Sequence, residues 1–209
     1  MPHPDPTRAV LRRTLARLLA TGAVVGLLAG CSAMLAQNPD SPLKPVRAVA
    51  MDGDDHVMLT GHDVVAYFTL GRHAAGLPQF KTVHQGVTFR FMNAEHKALF
   101  DADPARYLPQ YGGYCASGIS YAIPWGGDAD AWRIIDGKLY IFGGPTSRAS
   151  FELDTAGNIA LADRYWREEV AGRNSFVQRS WRLVFRVPHY KSDAQLAAEV
   201  ATAQGRKAP

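Results

Sequence analysis

An α+β fold, a small antiparallel sheet of hairpins with short helices packed against it, is predicted by three features of this chain. Trp132–Ile135 and Lys138–Phe142 are apolar arms around Asp136-Gly137, a pair suited to a type I′ turn. A second alternation, with Val83 before Gln85-Gly86 and Val87, Phe89 and Phe91 after it, predicts another hairpin within Phe80–Phe91. Between these hairpins and again after them, capping residues precede runs of helical period.

Taken in order, Ser32 to about Val49 is rich in Asn, Asp, Ser and Pro and lacks an apolar period, so residues 31–50 are expected to form a flexible tether. Order should begin near Asp52–Leu59. Gly61–Phe68 suits a short helix or a bent strand that turns Val64, Val65 and Phe68 inward. Asn93 is a good N-cap for a helix through about Ala102, and Pro104 can open a further turn through Tyr107. The paired glycines Gly112-Gly113 allow a close backbone approach just before Cys115. Beyond Gly143-Gly144-Pro145, helical patterns cover Ser147–Leu153 and Ile159–Val170. Phe176–Val187 is strand-like, and Ser192–Gln204 is a terminal helix. Residues 51–145 therefore form one domain, and residues 146–209 an α/β extension packed on it.

The N-terminus carries an address. Arg8, Arg12, Arg13 and Arg17 precede thirteen uncharged residues, Leu18 to Gly30, which end in Leu28-Ala29-Gly30-Cys31. A basic start, a short apolar core and small residues before a cut describe a signal peptide over residues 1–30. The core is shorter than the roughly 20 residues a membrane-spanning helix needs. The last four residues resemble the bacterial lipobox, which implies lipidation of Cys31 and a membrane partner reached through that anchor. Ser32 after the cysteine resembles the pattern of lipoproteins sent to the outer membrane, with the domain on the periplasmic side. Arg12-Arg13 followed by Thr14-Leu15 matches twin-arginine export only in part, which leaves both export routes open.

Composition then narrows the partners. The formal charge of +4 owes most of its size to the signal segment, which holds four arginines and one aspartate; the remainder is +1. No basic stripe with interleaved aromatics remains, which argues against nucleic acid. Cys115 and Cys31 are the two cysteines, so lipidation of Cys31 leaves Cys115 without a disulfide partner within the chain. There is no nucleophile elbow, phosphate loop, dinucleotide fingerprint or His-Glu-x-x-His motif, and a non-enzymatic role is expected.

Gly61-His62-Asp63-Val64-Val65-Ala66-Tyr67-Phe68, Phe89-Arg90-Phe91, Phe100 with Asp103-Pro104-Ala105-Arg106-Tyr107, Tyr111-Gly112-Gly113-Tyr114-Cys115-Ala116 and Asp136-Gly137-Lys138-Leu139-Tyr140 resemble the YHS domain family in order and spacing. The resemblance covers about 80 of 209 residues, and Ala162-Asp163-Arg164-Tyr165-Trp166 is similar to the tail of secreted members. It implies a compact module related to treble-clef metal-binding domains, with copper the favoured ion. Relatives rich in cysteine hold metal through several thiolates, whereas this domain keeps Cys115 alone, and His62 stands where many small relatives carry Tyr. One thiolate cannot close a four-ligand zinc site. A soft Cys115 sulfur suits Cu(I), with His62 as the best second ligand.

Each candidate also has a plainer role. Cys115 can pack in the core as a small hydrophobe. Asp63 either orients the His62 imidazole or caps the turn that follows it. Tyr67, Tyr107, Tyr111, Tyr114, Tyr121 and Tyr140 with Trp125 and Trp132 either line a small-molecule pocket or build the core with their hydroxyls tied to backbone. Three functions follow in order of expectation: a lipoprotein that binds copper through Cys115, a small-molecule or partner-binding module without metal, and a thiol-dependent enzyme or redox protein.

Overall fold

The computed structural model describes residues 46–205. The signal segment 1–30, Cys31, the tether up to residue 45 and residues 206–209 lie outside the described residues. The architecture is α+β, with a small mixed sheet, a separate hairpin and a run of C-terminal helices. Among the described residues no helix is long and apolar enough to cross a membrane.

The sheet contains β1 (Ala48–Met51), β2 (Asp54–Met58), β3 (Leu77–His84) and β4 (Val87–Phe91) in the order β1-β2-β4-β3. The β1 and β2 strands are antiparallel, as are β3 and β4, but β2 runs parallel to β4 through Val57 and Thr88. The sheet is thus mixed, not antiparallel as the hairpins alone imply. It also starts at Ala48, inside the span assigned to a tether. The hairpin β5 (Asp128–Ile135) and β6 (Lys138–Phe142) stands apart from it. All three tight turns share one chemistry: Asp52-Gly53, Gln85-Gly86 and Asp136-Gly137 each place both residues at positive φ, as a type I′ turn demands.

The β4 strand is buried at every position, including Thr88 and Arg90, which alternate with the apolar Val87, Phe89 and Phe91. Phe89 and Phe91 stack against Phe100 of α2 (Ala94–Ala102), with ring centroids 4.6 and 5.1 Å away. On the other face the Arg90 side chain is 2% exposed and grips the β1–β2 turn. It donates to Asp52 and Asp54 carboxylates and to the Met51 carbonyl, each at 2.8 Å. Its Nε has no partner.

Asp63 fixes the segment read as helix or bent strand. A 3₁₀ turn (Leu59–Gly61) leads into the short helix α1 (Ala66–Thr69). The fully buried Asp63 carboxylate accepts from the backbone of Val65 at 2.8 Å and Ala66 at 3.4 Å, which caps α1. Its other oxygen accepts from Met92 N–H at 2.8 Å and bonds His96 Nδ1 at 2.7 Å. His96 Nε2 reaches Thr69 Oγ at 3.1 Å. One carboxylate therefore ties α1, the end of β4 and α2 together.

After α3 (Pro104–Tyr107), a 3₁₀ turn (Gln110–Gly113) and α4 (Ala116–Ile119), the chain forms the β5–β6 hairpin and then turns helical. The helices are α5 (Pro145–Glu152), α6 (Thr155–Tyr165) with a π turn at Trp166–Val170, α7 (Ser175–Val184) and α8 (Asp193–Ala203). Asn174 caps α7, so the stretch read as strand-like is a helix, and the described extension is all helical. Ser192 and Gln195 form a capping box on α8. Two apolar cores share β6: Leu139 and Ile141 join the core under the sheet, while Tyr140 and Phe142 join a second with Phe151, Tyr165 and Val170.

Replacing Asp63 by alanine strands the Val65 and Met92 N–H groups and the His96 ring. Asp63→Ala is expected to lower unfolding stability by about 3–5 kcal/mol, the range for breaking a buried pair. Urea denaturation followed by tryptophan fluorescence measures it, and a loss below about 1 kcal/mol, no more than one ordinary hydrogen bond, contradicts this role.

Candidate functional site

Cys115 is the N-cap of α4 and lies at the junction of three elements. Its N–H donates to the Trp125 carbonyl at 3.0 Å, and it forms a parallel bridge with Ile141 of β6. The side chain turns inward, leaving the residue 3% exposed. Sγ accepts from Gly118 N–H at 3.4 Å and lies 3.6 Å from Ser147 Oγ. Ser147 Oγ in turn accepts from Gly143 N–H at 3.1 Å and contacts the Gly144 carbonyl at 3.3 Å. A Cβ on Gly143 would lie 3.5 Å from the sulfur, in ordinary van der Waals contact, so the backbone at Gly143 passes beside it.

Burial pushes the thiol pKa up, against the opposing pull of the Ser147 hydroxyl and the Gly118, Gly143 and Ser117 amides. Desolvation wins because the sulfur is enclosed, and the residue stays protonated at neutral pH. A site for Cu(I) needs at least one further soft or imidazole donor. The sulfur's polar neighbours are a hydroxyl and amides, which do not meet that need. Among the described residues no group of three or more His, Cys, Asp or Glu side chains could hold a metal ion.

No hydrogen bond joins His62 to Cys115. The His62 Nδ1 bonds the Leu59 carbonyl at 3.0 Å, and its ring stacks on His73 with centroids 5.7 Å apart. Asp63 serves His96 and the α1 cap, not His62. The aromatic residues largely build the core: Tyr67 donates to the Ala129 carbonyl at 2.7 Å and Tyr111 to the Asp163 carboxylate at 2.8 Å. Tyr114 reaches the Val46 carbonyl at 3.4 Å. Burial raises the pKa values of Tyr67 and Tyr111 well above the ordinary phenol range.

One helical turn beyond Cys115 lies a cavity of about 220 Å³ between α4, α5, α6 and the C-terminal segment. Ser117, Ser120 and Ser150 line it, and each already spends its hydroxyl proton. Ser117 donates to the Ser147 carbonyl at 2.6 Å, Ser120 to the Ser117 carbonyl at 2.8 Å and Ser150 to the Ser147 carbonyl at 3.0 Å. Asn158 commits an amide proton to the Phe151 carbonyl at 3.0 Å. His189 Nε2 donates to the Ser120 carbonyl at 2.9 Å. Lys191 pairs with Glu199 at 2.6 Å, and Asp154 adds a carboxylate. The serine lone pairs and the Asp154 and Glu199 carboxylates offer acceptors, while the Tyr121 hydroxyl on the same wall has no hydrogen-bond partner among the described residues.

Sequence reasoning missed these residues. The available signal was the spacing Ser117-x-x-Ser120 and Ser147-x-x-Ser150, which puts two hydroxyls on one helical face.

Because the thiol is enclosed and protonated, alkylation of Cys115 by iodoacetamide at pH 7 is expected to be at least about 100-fold slower in the native chain than in urea, as for an inert buried cysteine. The mass of the Cys115 peptide over time measures the rate, and rapid native labelling would overturn the closed geometry. Comparison with protein-family models, with curated proteins and with solved structures found no match to this chain.

Proposed function

We propose that this chain is a non-enzymatic binding module of the YHS type, carried on a lipid at Cys31 on the periplasmic side of the outer membrane. Its ligand is a small primary amine held in the cavity beside α4. The family and the anchor rest on the sequence motifs given above. The ligand class rests on one observation, the commitment of the three serine hydroxyl protons and one Asn158 amide proton to neighbouring carbonyls. Lone pairs therefore face the space, and a ligand that brings its own protons fits it. Asp154 and Glu199 favour a cation, with Lys191 already engaged by Glu199.

An ammonium group supplies three donors from one atom, which matches a wall of several acceptors. A metal ion is disfavoured because the Cys115 sulfur meets a hydroxyl and amides in place of a second ligand. A thiol-dependent enzyme is disfavoured by the same enclosure, since a buried thiol with a raised pKa is a poor nucleophile.

Calorimetric titration with 1,3-diaminopropane is expected to show one saturable site. Asp154→Asn keeps the cap on α6 and Glu199→Gln keeps the shape, yet each should weaken binding about tenfold or more through loss of a charge-assisted hydrogen bond. Absence of saturable binding sinks the amine reading. A one-to-one Cu(I) complex that disappears in Cys115→Ser would replace it with the copper reading.

A further inference from the structure

The helix α7 has its polarity inverted relative to the body it packs on. Ser175 and Gln178 are buried, and Arg182 is partly buried on the same stripe. Gln178 donates to the Ala122 carbonyl at 3.2 Å and to Glu169 at 3.1 Å, and Arg182 holds both oxygens of Glu169. The opposite stripe, Val177, Trp181 and Val184, is 62%, 54% and 73% exposed, and Phe185 just beyond it is 52% exposed. A surface helix ordinarily turns its apolar stripe inward and its polar one to water. Here the inner stripe is pinned by hydrogen bonds, so rolling the helix over would strand a Glu169–Arg182 pair.

Charge around the face has one sign. From Ala171 to Ser192 the chain contains no Asp or Glu. Arg182 and Lys191 are paired with Glu169 and Glu199. Among the described residues, Arg173, Arg179 and Arg186 have no salt-bridge partner. Arg179 instead lies over the Trp125 ring, 5.5 Å from its centroid, and Arg186 over Tyr190 at 4.5 Å. Trp125 is itself 39% exposed and extends the patch. Exposed Trp, Phe and Val fringed by unpaired arginines describe a helix suited to lie in the interface of an anionic bilayer.

We infer that the outer face of α7 docks on an anionic phospholipid surface, inserting Val177, Trp181, Val184 and Phe185 below the headgroups while Arg173, Arg179 and Arg186 meet phosphates. The inference deepens the proposed membrane-anchored function and rests on it. Only fourteen residues lie between Cys31 and Val46, a span of at most about 50 Å when fully extended. A domain on such a leash stays within reach of the bilayer that holds its lipid.

The test uses the full lipidated chain reconstituted in phosphatidylcholine vesicles with brominated acyl chains, with and without about 30% phosphatidylglycerol, enough to give an anionic surface. Flotation with the vesicles reports the anchor, and quenching of tryptophan by bromine reports the face. The expected result is flotation in both lipids, with quenching about twofold or more stronger where phosphatidylglycerol is present. Trp181→Phe should remove most of that quenching. Arg173→Gln/Arg179→Gln/Arg186→Gln, which breaks no ion pair, should abolish its dependence on phosphatidylglycerol. A chain that floats with Trp181 unquenched overturns the docking face and leaves the anchor standing. A chain that neither floats nor quenches overturns both. Cross-linking between copies through Val184→Cys, with Trp181 unquenched, assigns the face to self-association and also overturns the proposal.

Discussion

The β6 strand must bury both of its faces, and most of the architecture answers that constraint. Leu139 and Ile141 point into the core under the sheet, and Tyr140 and Phe142 into the core of the C-terminal helices. A hairpin alone can cover neither face, since two strands without a packed layer are marginal in water. The chain before β5 covers the first face, and the C-terminal helices together with Tyr111, Tyr114 and Ile119 cover the second. The C-terminal helices are therefore part of the folding unit of the described residues: Phe151, Tyr165 and Val170 bury what Tyr140 and Phe142 would otherwise expose. The Tyr111 hydroxyl, donating to Asp163 of α6, ties the glycine-rich turn before Cys115 to that same layer.

The buried polar groups are arranged to make this packing specific. Asp63 is fully enclosed, yet it receives two backbone donors for the α1 cap, a third from Met92 and the His96 ring. A carboxylate with that many partners is held by geometry, and no single ion pair offsets its desolvation. Arg90 is held differently. Its partner Asp54 is 14% exposed and Asp52 is 61% exposed, so the Asp54 contact is the less screened of the two. Together the two groups set the positions of α1, α2 and the β1–β2 turn against β4, where apolar contacts alone would tolerate sliding.

Local features were legible in the sequence because their causes are local. Asp136-Gly137 and Gln85-Gly86 name their turns by backbone chemistry, and Asn93 and Ser192 cap the helices they precede. The parallel pairing of β2 with β4 joins residues about thirty positions apart and leaves no periodic mark. The helix α7 failed for a different reason. Phe176, Val177, Trp181, Leu183 and Val184 are β-branched or aromatic or flank such residues, and that composition favours strand. Its helical stripe was polar, Ser175, Gln178 and Arg182, so a search for an apolar face could not find what packs inward. The Asp63 partner of His96 lies 33 residues away, and the Ser147 neighbour of Cys115 lies 32 residues on. Those distances belong to topology.

The inverted helix also explains how a small patch can matter. Leaving four apolar side chains in water forfeits burial of about 1.5–3 kcal/mol for each that could be fully covered. A single interfacial helix binds a bilayer weakly when the protein must first find it from solution. On the proposed lipid anchor the encounter is already intramolecular, and the tether sets a high effective concentration of bilayer around α7. The patch then has only to fix an orientation. The face that docks follows from the polar stripe, because Gln178 and Arg182 lock α7 to Ala122 and Glu169 of the body. That lock runs through the loop after α4, whose Ser120 lines the cavity, so α7 is held to the cavity wall in a fixed geometry and not as a swinging appendage.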